Sequence, residues 1–259
     1  MIKDKTLMSI IMNCHNGEKY LRQSISSIIS QSYENWELIF WDNNSSDKSE
    51  KIARKFNDKR IKIFKSNSFK KLYEARNLAI EKASGDFISF IDTDDFWHHN
   101  KIEKQISFFS QNKDFEIVYS NYLILDEKKK RKYVRFDKKL PSGIIFNDLL
   151  KNYTVGLLTL CLDKKIFIEH SFNENFDIIG DFDLMLKLSK KKKIGYIHDT
   201  LATYRLHEEN LSKKKISIHA NELQHWIKYN KDNLQDKSNM KYLIFYLLKL
   251  RIKSLLSFF

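Results

Sequence analysis

Apolar positions along this chain fall into short runs whose period switches repeatedly. Leu7–Asn13 (LMSIIMN) is a continuous apolar run of strand length. In the following EKYLRQSISSIISQ, Leu21, Ile25, Ile28 and Ile29 recur at helical spacing, predicting an amphipathic helix. The same alternation continues. Trp36–Trp41 (WELIFW) reads as a strand, NNSSDKSEKIARKF as a helix opened by capping residues, and Arg60–Ser66 (RIKIFKS) as a strand. LYEARNLAIEKA reads as a helix closed by Gly85, and Asp86–Asp92 (DFISFID) as a fourth strand. Strand–helix alternation of this kind implies right-handed crossovers and a largely parallel sheet. In such sheets ligands sit at the carboxyl ends of the strands. The polar segments NCHN, DNNSSD and DTDD are therefore expected to converge on one edge.

The second half is less regular. NKIEKQISFFSQN predicts a helix, EIVYSNYLILD a strand, and EKKKRKYVRF a charged turn into another strand. TVGLLTLCLD reads as an apolar strand buried on both faces. GDFDLMLKLSKK reads as a helix with Phe182, Met185, Leu186 and Leu188 on or near its apolar side, and IGYIHDTLATYRLH as extended. From Lys213 onward the pattern is helical and basic, which divides the chain into a catalytic-type domain (1–212) and a C-terminal helical extension (213–259). There is no internal repeat.

Composition narrows the class. The chain has 259 residues, 42% of them hydrophobic and 14% aromatic, enough for a sizeable core. The formal net charge of +13 suggests a polyanionic partner or a lysine-rich solvated surface, and both readings stay open. Cys14 and Cys161 are far apart, without metal-ligand spacing or a disulfide framework, so a reducing compartment and two core thiols are expected. The N-terminal stretch lacks the features of a signal peptide. The run from Tyr242 to Phe259 is broken by Lys249, Arg251 and Lys253, which makes it a poor spanning helix. Its Tyr242, Leu243, Phe245, Tyr246, Leu247, Leu250, Ile252, Leu255, Leu256, Phe258 and Phe259 suit an interfacial helix on an anionic membrane, or a helix packed on the domain or a second subunit.

The chemistry concentrates in SFIDTDDFW, Ser89–Trp97. Asp92 and Asp94 alternate at a strand end and can flank one point, where their hard oxygens suit Mg²⁺ or Mn²⁺. Taken alone, D-x-D can equally cap the helix that follows. The context of strand, D-x-D-D, aromatic and helix is more specific.

At this point the chain resembles a family-2 glycosyltransferase of the GT-A type, a Rossmann-like mixed, mostly parallel α/β sheet flanked by helices. The resemblance is carried, in order, by SIIMNCHNGEKYLRQSISSIISQSYENWELIFWDNNSSDKS, EARNLAIEKASGDFISFIDTDDFW, GDFDLMLKLSKK and YRLHEENLS, spanning about residues 7–212. It implies an inverting, divalent-metal-dependent transfer from a nucleotide-diphosphate sugar to a saccharide hydroxyl in bacterial cell-envelope polysaccharide synthesis. The acceptor would be lipid-linked. It also implies residue roles. The loop Asn13–Asn16, with Asn13 and His15, lies under the nucleotide base, Asp42 and Asn43 hold base and ribose, and Arg76 lies near base or diphosphate. Asp94 binds the metal and Asp92 contacts ribose or metal-bound water. Asp181 is the catalytic base, and His207 with Arg205 approaches metal and diphosphate, with Lys71 a further candidate cation. The chain departs from the family pattern at NCH, where proline-threonine-tyrosine is usual, and at Asn43, where a second aspartate is usual. SFKKLYE replaces a glycine-rich stretch, and Gly180 stands where a glutamate is usual.

Other readings of the same residues remain. Asp181 after Gly180 is also a good helix cap, and Asp183 could be the working carboxylate. His98 and His99 are expected to open an exposed helix, Cys14 to be a small buried residue, Trp36 and Trp41 to be core or pocket wall, and Asp95 to serve the turn. A cytoplasmic location is expected, with peripheral attachment at the cytoplasmic face of the inner membrane if the C-terminal helix is interfacial rather than packed on the domain. No nucleic-acid module is recognisable and no nucleic acid is expected as partner. A basic nucleic-acid-binding protein and a non-catalytic sugar-nucleotide binder are the alternatives.

Overall fold

The computed structural model describes residues 6–231 and 239–256, so Phe258 and Phe259 lie outside the described residues. β1 (Met8–Cys14), β2 (Trp36–Asp42), β3 (Ile61–Lys65) and β4 (Phe87–Phe90) form a parallel block in the order β3-β2-β1-β4. Their connections are α1 (Glu18–Ile29), α2 (Ser49–Arg54) and α3 (Leu72–Glu81). The strand order reverses between β1 and β4, which opens a crevice at their carboxyl ends.

Both faces of this block are covered. Met8, Ile10 and Met12 of β1 and Leu38 and Phe40 of β2 pack with Leu21, Ile25 and Ile28 of α1. Ile102, Ile106 and Phe109 of α4 (Lys101–Gln111) join that layer. Ile11, Ile39 and Trp41 face the other layer, with Ala75 and Ala79 of α3. That layer is completed by α5 (Phe146–Lys151), α6 (Ile166–Glu169) and α7 (Gly180–Ser189). Two-sided burial is why the strands read as continuous apolar runs rather than alternating ones.

Beyond β4 the sheet is mixed. β8 (Cys161–Asp163) lies antiparallel between β4 and β6 (Ile117–Asp126), and β6 pairs in parallel with β9 (Ile194–Leu206). β7 (Arg131–Val134) folds back on β6, and β5 (Phe96–Trp97) pairs antiparallel with β9. Register shifts near Asn121 bend the β6–β9 pair. Beyond that bend Thr203 comes opposite Phe96, so Arg205 and His207 are carried onto the 92–95 loop.

Three segments differ from the sequence reading. TVGLLTLCLD is not one strand: a 3-10 turn, Leu157–Thr159, precedes a short β8. The carbonyls of Leu158, Thr159 and Leu160 are taken by Trp97 Nε1, Gln105 Nε2 and Ser89 Oγ, so side chains replace the ladder there. The helix in NNSSDKSEKIARKF begins only at Ser49, because residues 45–48 are bonded to the first loop. His98 does not open a helix. Its two ring nitrogens meet Thr200 O at 2.8 Å and Thr203 Oγ1 at 2.9 Å, and α4 starts at Lys101.

After α8 (Leu211–Lys214), α9 (Ile216–Asn230) and α10 (Met240–Leu256) pack together through Ala220, Leu223 and Leu250. Trp226 and Leu243 join the core layer that contains α7. The helices after residue 213 are thus continuous with the core beneath the site. The outer face of α10 stays exposed at Phe245, Leu248, Ile252, Leu255 and Leu256. Among the described residues, no helix is long and apolar enough to cross a membrane.

Lys101 is fully buried and, among the described residues, has no carboxylate partner. It bonds Gln105 Oε1 at 2.8 Å and sits 3.7 Å from the Trp97 ring centroid. Burial pushes its ammonium down to about 7. From about pH 7 to the ordinary lysine range near 10.5, the unfolded chain holds a proton that the folded one does not, so stability from this group rises with pH. Below pH 7 the cost of the buried charge is complete. Lys101→Met should therefore raise the melting temperature at pH 6, and its advantage over wild type should shrink by pH 9. Thermal unfolding at both pH values checks this; an equal or growing advantage at pH 9 contradicts it.

Candidate functional site

The floor of the crevice is built from loops that bond to each other before any ligand is considered. Asn16 and Asn44 take left-handed backbone angles (φ 54° and 60°) just past β1 and β2, a conformation asparagine tolerates better than most residues. Asn16 Oδ1 accepts the Ser46 N–H at 2.8 Å, and Gly17 N–H donates to Ser49 Oγ at 2.9 Å. A Cβ at Gly17 would lie 2.8 Å from Thr93 Oγ1, so only glycine lets this loop approach the D-x-D segment so closely.

On that floor stand Asn13, His15, Asp42 and Asn43. Asp42 is fully buried; Oδ1 accepts the Ser45 N–H, while Oδ2 has no hydrogen-bond partner, with Lys65 Nζ 3.9 Å away. Both amide atoms of Asn13 and Trp41 Nε1 are likewise buried without hydrogen bonds, on paired positions of β1 and β2. Such groups cost stability unless something meets them. His15 Nδ1 donates to Asn43 O at 2.9 Å, and its ring meets Phe69 edge-on at 4.7 Å between centroids. Phe69 is 56% exposed, an aromatic presented beside His15. Asn43 is engaged differently from the sequence expectation. Its amide pairs with Lys70, donating to the carbonyl at 2.8 Å and accepting the N–H at 3.0 Å. It latches the 66–71 segment beside the pocket. Lys71, just before α3, is exposed.

The three carboxylates after β4 each have a different partner. Asp92 Oδ1 accepts from Arg76 at 2.7 Å; Arg76 is buried and Asp92 is partly exposed. Asp94 Oδ2 lies 2.8 Å from His207 Nε2 and accepts Asn210 Nδ2 at 3.2 Å. Glu209 N–H donates to His207 Nδ1, so the ring hydrogen lies on Nε2 and points at Asp94. Asp95 does not merely serve its own turn. Its buried Oδ1 accepts the backbone N–H of Arg205 on β9 at 2.9 Å. Burial, followed by the Asp94 and Asp92 charges, pushes its carboxyl well above the usual range.

Each of the three side-chain nitrogens of Arg205 has a hydrogen-bond partner. Nε donates to Asp94 O at 2.9 Å, one terminal nitrogen to Glu127 at 2.9 Å and the other to Gln23, and the guanidinium lies over the Tyr20 ring. Through Nε the guanidinium clamps the backbone of the D-x-D segment.

Asp181 sits in the first turn of α7. It is not the N-cap; that position is Ile179. Oδ1 lies 3.0 Å from the Tyr73 hydroxyl, which also meets Ile178 O at 2.8 Å. Burial raises the Asp181 carboxyl, and Arg76 and Tyr73 partly offset it. Gly180 explains the departure from glutamate: a Cβ there would lie 2.6 Å from the Tyr73 ring, so the ring occupies that space. Asp183, the other carboxylate of this turn, is buried and bonded to Trp226 Nε1 at 2.9 Å and Lys187 at 2.7 Å. A chain of contacts therefore runs Asp92–Arg76–Tyr73–Asp181, linking the D-x-D segment to the α7 carboxylate.

Phe69, Tyr73, Glu127 and Asn210 were not visible as site residues in the sequence. Tyr73 and Phe69 looked like ordinary apolar residues, and Asn210 follows YRLH at a spacing that only the bend of β9 makes meaningful.

A divalent ion can be tested against these residues. Among the described residues, no three His, Cys, Asp or Glu side chains are grouped to hold one. Asp94 and His207 do converge, one carboxylate and one imidazole, and Nε2 can take an ion once the ring hydrogen moves to Nδ1 and the Glu209 N–H bond is given up. Mg²⁺ takes one or two protein ligands and completes its shell with phosphate oxygens and water, so the set fits an ion shared with a diphosphate rather than a protein-only cage.

Residues 9–174 match the model of the glycosyl transferase family 2. The chain is 38% identical over 215 residues to the UDP-Glc:alpha-D-GlcNAc-diphosphoundecaprenol beta-1,3-glucosyltransferase WfgD of Escherichia coli, covering 82% of each. It is 29% identical over 215 residues to the putative teichuronic acid biosynthesis glycosyltransferase TuaG of Bacillus subtilis, covering 82% of this chain and 83% of that one. In fold it is similar to the mannosyltransferase PcManGT of Pyrobaculum calidifontis, solved with GDP-Man and Mn²⁺. The TM-score is 0.67 at 11% identity, covering 95% of this chain and 72% of that one. The fold is the GT-A type, and the chain belongs to glycosyltransferase family 2.

Proposed function

We propose that this glycosyltransferase moves a sugar from a UDP-sugar, with inversion, to a hydroxyl of a lipid-diphosphate-linked saccharide in cell-surface glycan synthesis. The observation that carries the reading is the linked pair of carboxylate centres: Asp92 and Asp94 at the strand end, and Asp181 tied to them through Arg76 and Tyr73. UDP and the lipid-linked acceptor are inferred from the similarity to WfgD, and glycan synthesis also from TuaG. Asp42 Oδ2 and the Asn13 amide lack partners, as expected where uracil and ribose supply donors and acceptors. His15 and Phe69 would flank the base, with Asn43 holding the segment that carries Phe69. Asp94 and His207 would hold the divalent ion, which supplies charge neutralisation for the departing diphosphate.

Asp181 is the general base in this reading. Its partial burial and raised pKa suit a group that must accept a proton near neutral pH. Arg76 neutralises Asp92 and leaves Asp181 flanked by a cation and a hydroxyl. One base and no enzyme nucleophile suffice for direct displacement at the anomeric carbon, and that gives inversion. Asp181→Asn should lower the turnover of UDP-glucose onto a short-chain GlcNAc-diphospholipid by ~10²–10⁴-fold. UDP affinity in Mn²⁺, measured by calorimetry, should stay within about threefold, because Asp181 is bonded to Tyr73 rather than to the floor residues. Full activity in this variant contradicts the assignment.

A lipid-linked acceptor is reached at a membrane surface, and α10 suits one. Phe245, Leu248, Ile252 and Leu255 are exposed on a helix that also carries Lys249, Arg251 and Lys253. Apolar side chains with basic neighbours bind anionic interfaces, and salt weakens the electrostatic part. Sedimentation with phosphatidylglycerol vesicles should capture the protein at low salt and release it when Lys249, Arg251 and Lys253 are changed to Glu. Equal capture by neutral vesicles contradicts this.

A further inference from the structure

α7 begins without a side-chain cap of its own, yet three amides around its start are not left to water. The carboxylate of Glu222, on α9, takes the N–H groups of Asp177 at 2.5 Å, Ile178 at 3.0 Å and Ile179 at 3.1 Å. One turn further along α9, Trp226 donates its indole N–H to Asp183 at 2.9 Å. Lys215, just before α9, adds an ion pair to Asp177 at 3.2 Å. These contacts bracket Asp181 on both sides in sequence. We propose that Glu222 is a positioning residue for the reaction: its carboxylate, supported by Trp226, fixes the turn that aims the Asp181 carboxylate. The proposal rests on the reading of Asp181 as the base.

The physical case has three parts. A carboxylate accepting several backbone N–H groups makes charge-assisted hydrogen bonds, stronger than neutral ones. An anion at a helix start also opposes the positive end of the helix dipole, so the clasp reinforces helix initiation at Gly180. And Glu222 holds the three N–H groups themselves, while the buried Phe176 and Ile179 side chains and the Lys215–Asp177 pair support the turn from its flanks. Gly180 offers no side chain, and Tyr73 divides its single hydroxyl hydrogen between Ile178 O and Asp181. Without Glu222, Ile178 and Ile179 would shift with respect to Tyr73, and the 3.0 Å contact that helps hold Asp181 would loosen. A displacement near 1 Å is enough to cost on the order of 10²-fold in an aligned reaction. None of these bonds involves Asn13, Asp42 or Asp94, so nucleotide binding should not follow.

The test compares wild type with Glu222→Gln and Glu222→Ala, after melting curves establish that each variant folds. Gln keeps the size and one accepting oxygen, which guards against loss of the fold in Ala. Hydrogen exchange at residues 177–179 should quicken at least tenfold in Glu222→Ala and by less in Glu222→Gln. The kcat for UDP-glucose with the GlcNAc-diphospholipid should fall roughly 10- to 100-fold in Ala, with partial recovery in Gln, while the Kd of UDP in Mn²⁺ stays within twofold. Unchanged kcat in a folded Glu222→Ala, or a UDP Kd that weakens in step with kcat, overturns the proposal. If wild type transfers no sugar, the functional reading fails separately. The carboxyl ¹³C titration of Asp181 then decides this one: a midpoint that moves in Glu222→Ala supports positioning, and an unmoved midpoint overturns it.

Discussion

Three carboxylates within four residues at the end of a buried strand impose the constraint around which the second half of the molecule is arranged. Each repels the others, and each is compensated from a different distance in sequence. Asp92 has the buried Arg76 from the preceding helix. Asp94 has His207 and Asn210, more than a hundred residues on. Asp95 is buried, receives the Arg205 N–H and is pushed toward its neutral form. Only Asp92 is met by a full permanent charge, so this strand end remains a place that favours a cation. The shift in the β6–β9 register is what makes the arrangement possible, because it turns the end of β9 across the sheet toward β5.

The start of α7 is arranged in the same way. α7 carries two acidic residues in its first turn, and their surroundings separate them. Asp183 is consumed by Trp226 and Lys187, while Asp181 keeps one weakly committed contact with Tyr73. The C-terminal helices are therefore part of how the centre is assembled, through Glu222 and Trp226, although nothing in their basic and apolar pattern pointed to that use. α10 then offers its remaining apolar face outward.

Much of this architecture was legible in the sequence, for physical reasons. Strands buried on both faces write themselves as continuous runs, and helices such as Glu18–Ile29 as a 3.6-residue stripe, so β1 to β4 and the crevice at their ends could be anticipated. Asp92, Asp94 and His207 were legible as candidates by type and context, and the structure brings the last two together. What could not be read were choices made by distant partners. The 157–160 segment abandons a strand because Trp97, Gln105 and Ser89 claim its carbonyls. Asn43 turns to Lys70, and Arg205 is bonded to Glu127 and Gln23. Tyr73 matters because Gly180 leaves room for its ring. Each depends on a neighbour remote in sequence, which periodicity does not encode.

In the proposed reading, Asp94 and His207 form half of a metal site whose other half is the diphosphate. Electron paramagnetic resonance of Mn²⁺ tests this most directly, by titrating the ion into the protein with and without UDP. With Asp94 and His207 alone converging among the described residues, weak binding of Mn²⁺ by itself is expected, and tight binding at one equivalent once UDP is present. Mn²⁺ binding of equal strength with and without UDP, or none in either case, would contradict it.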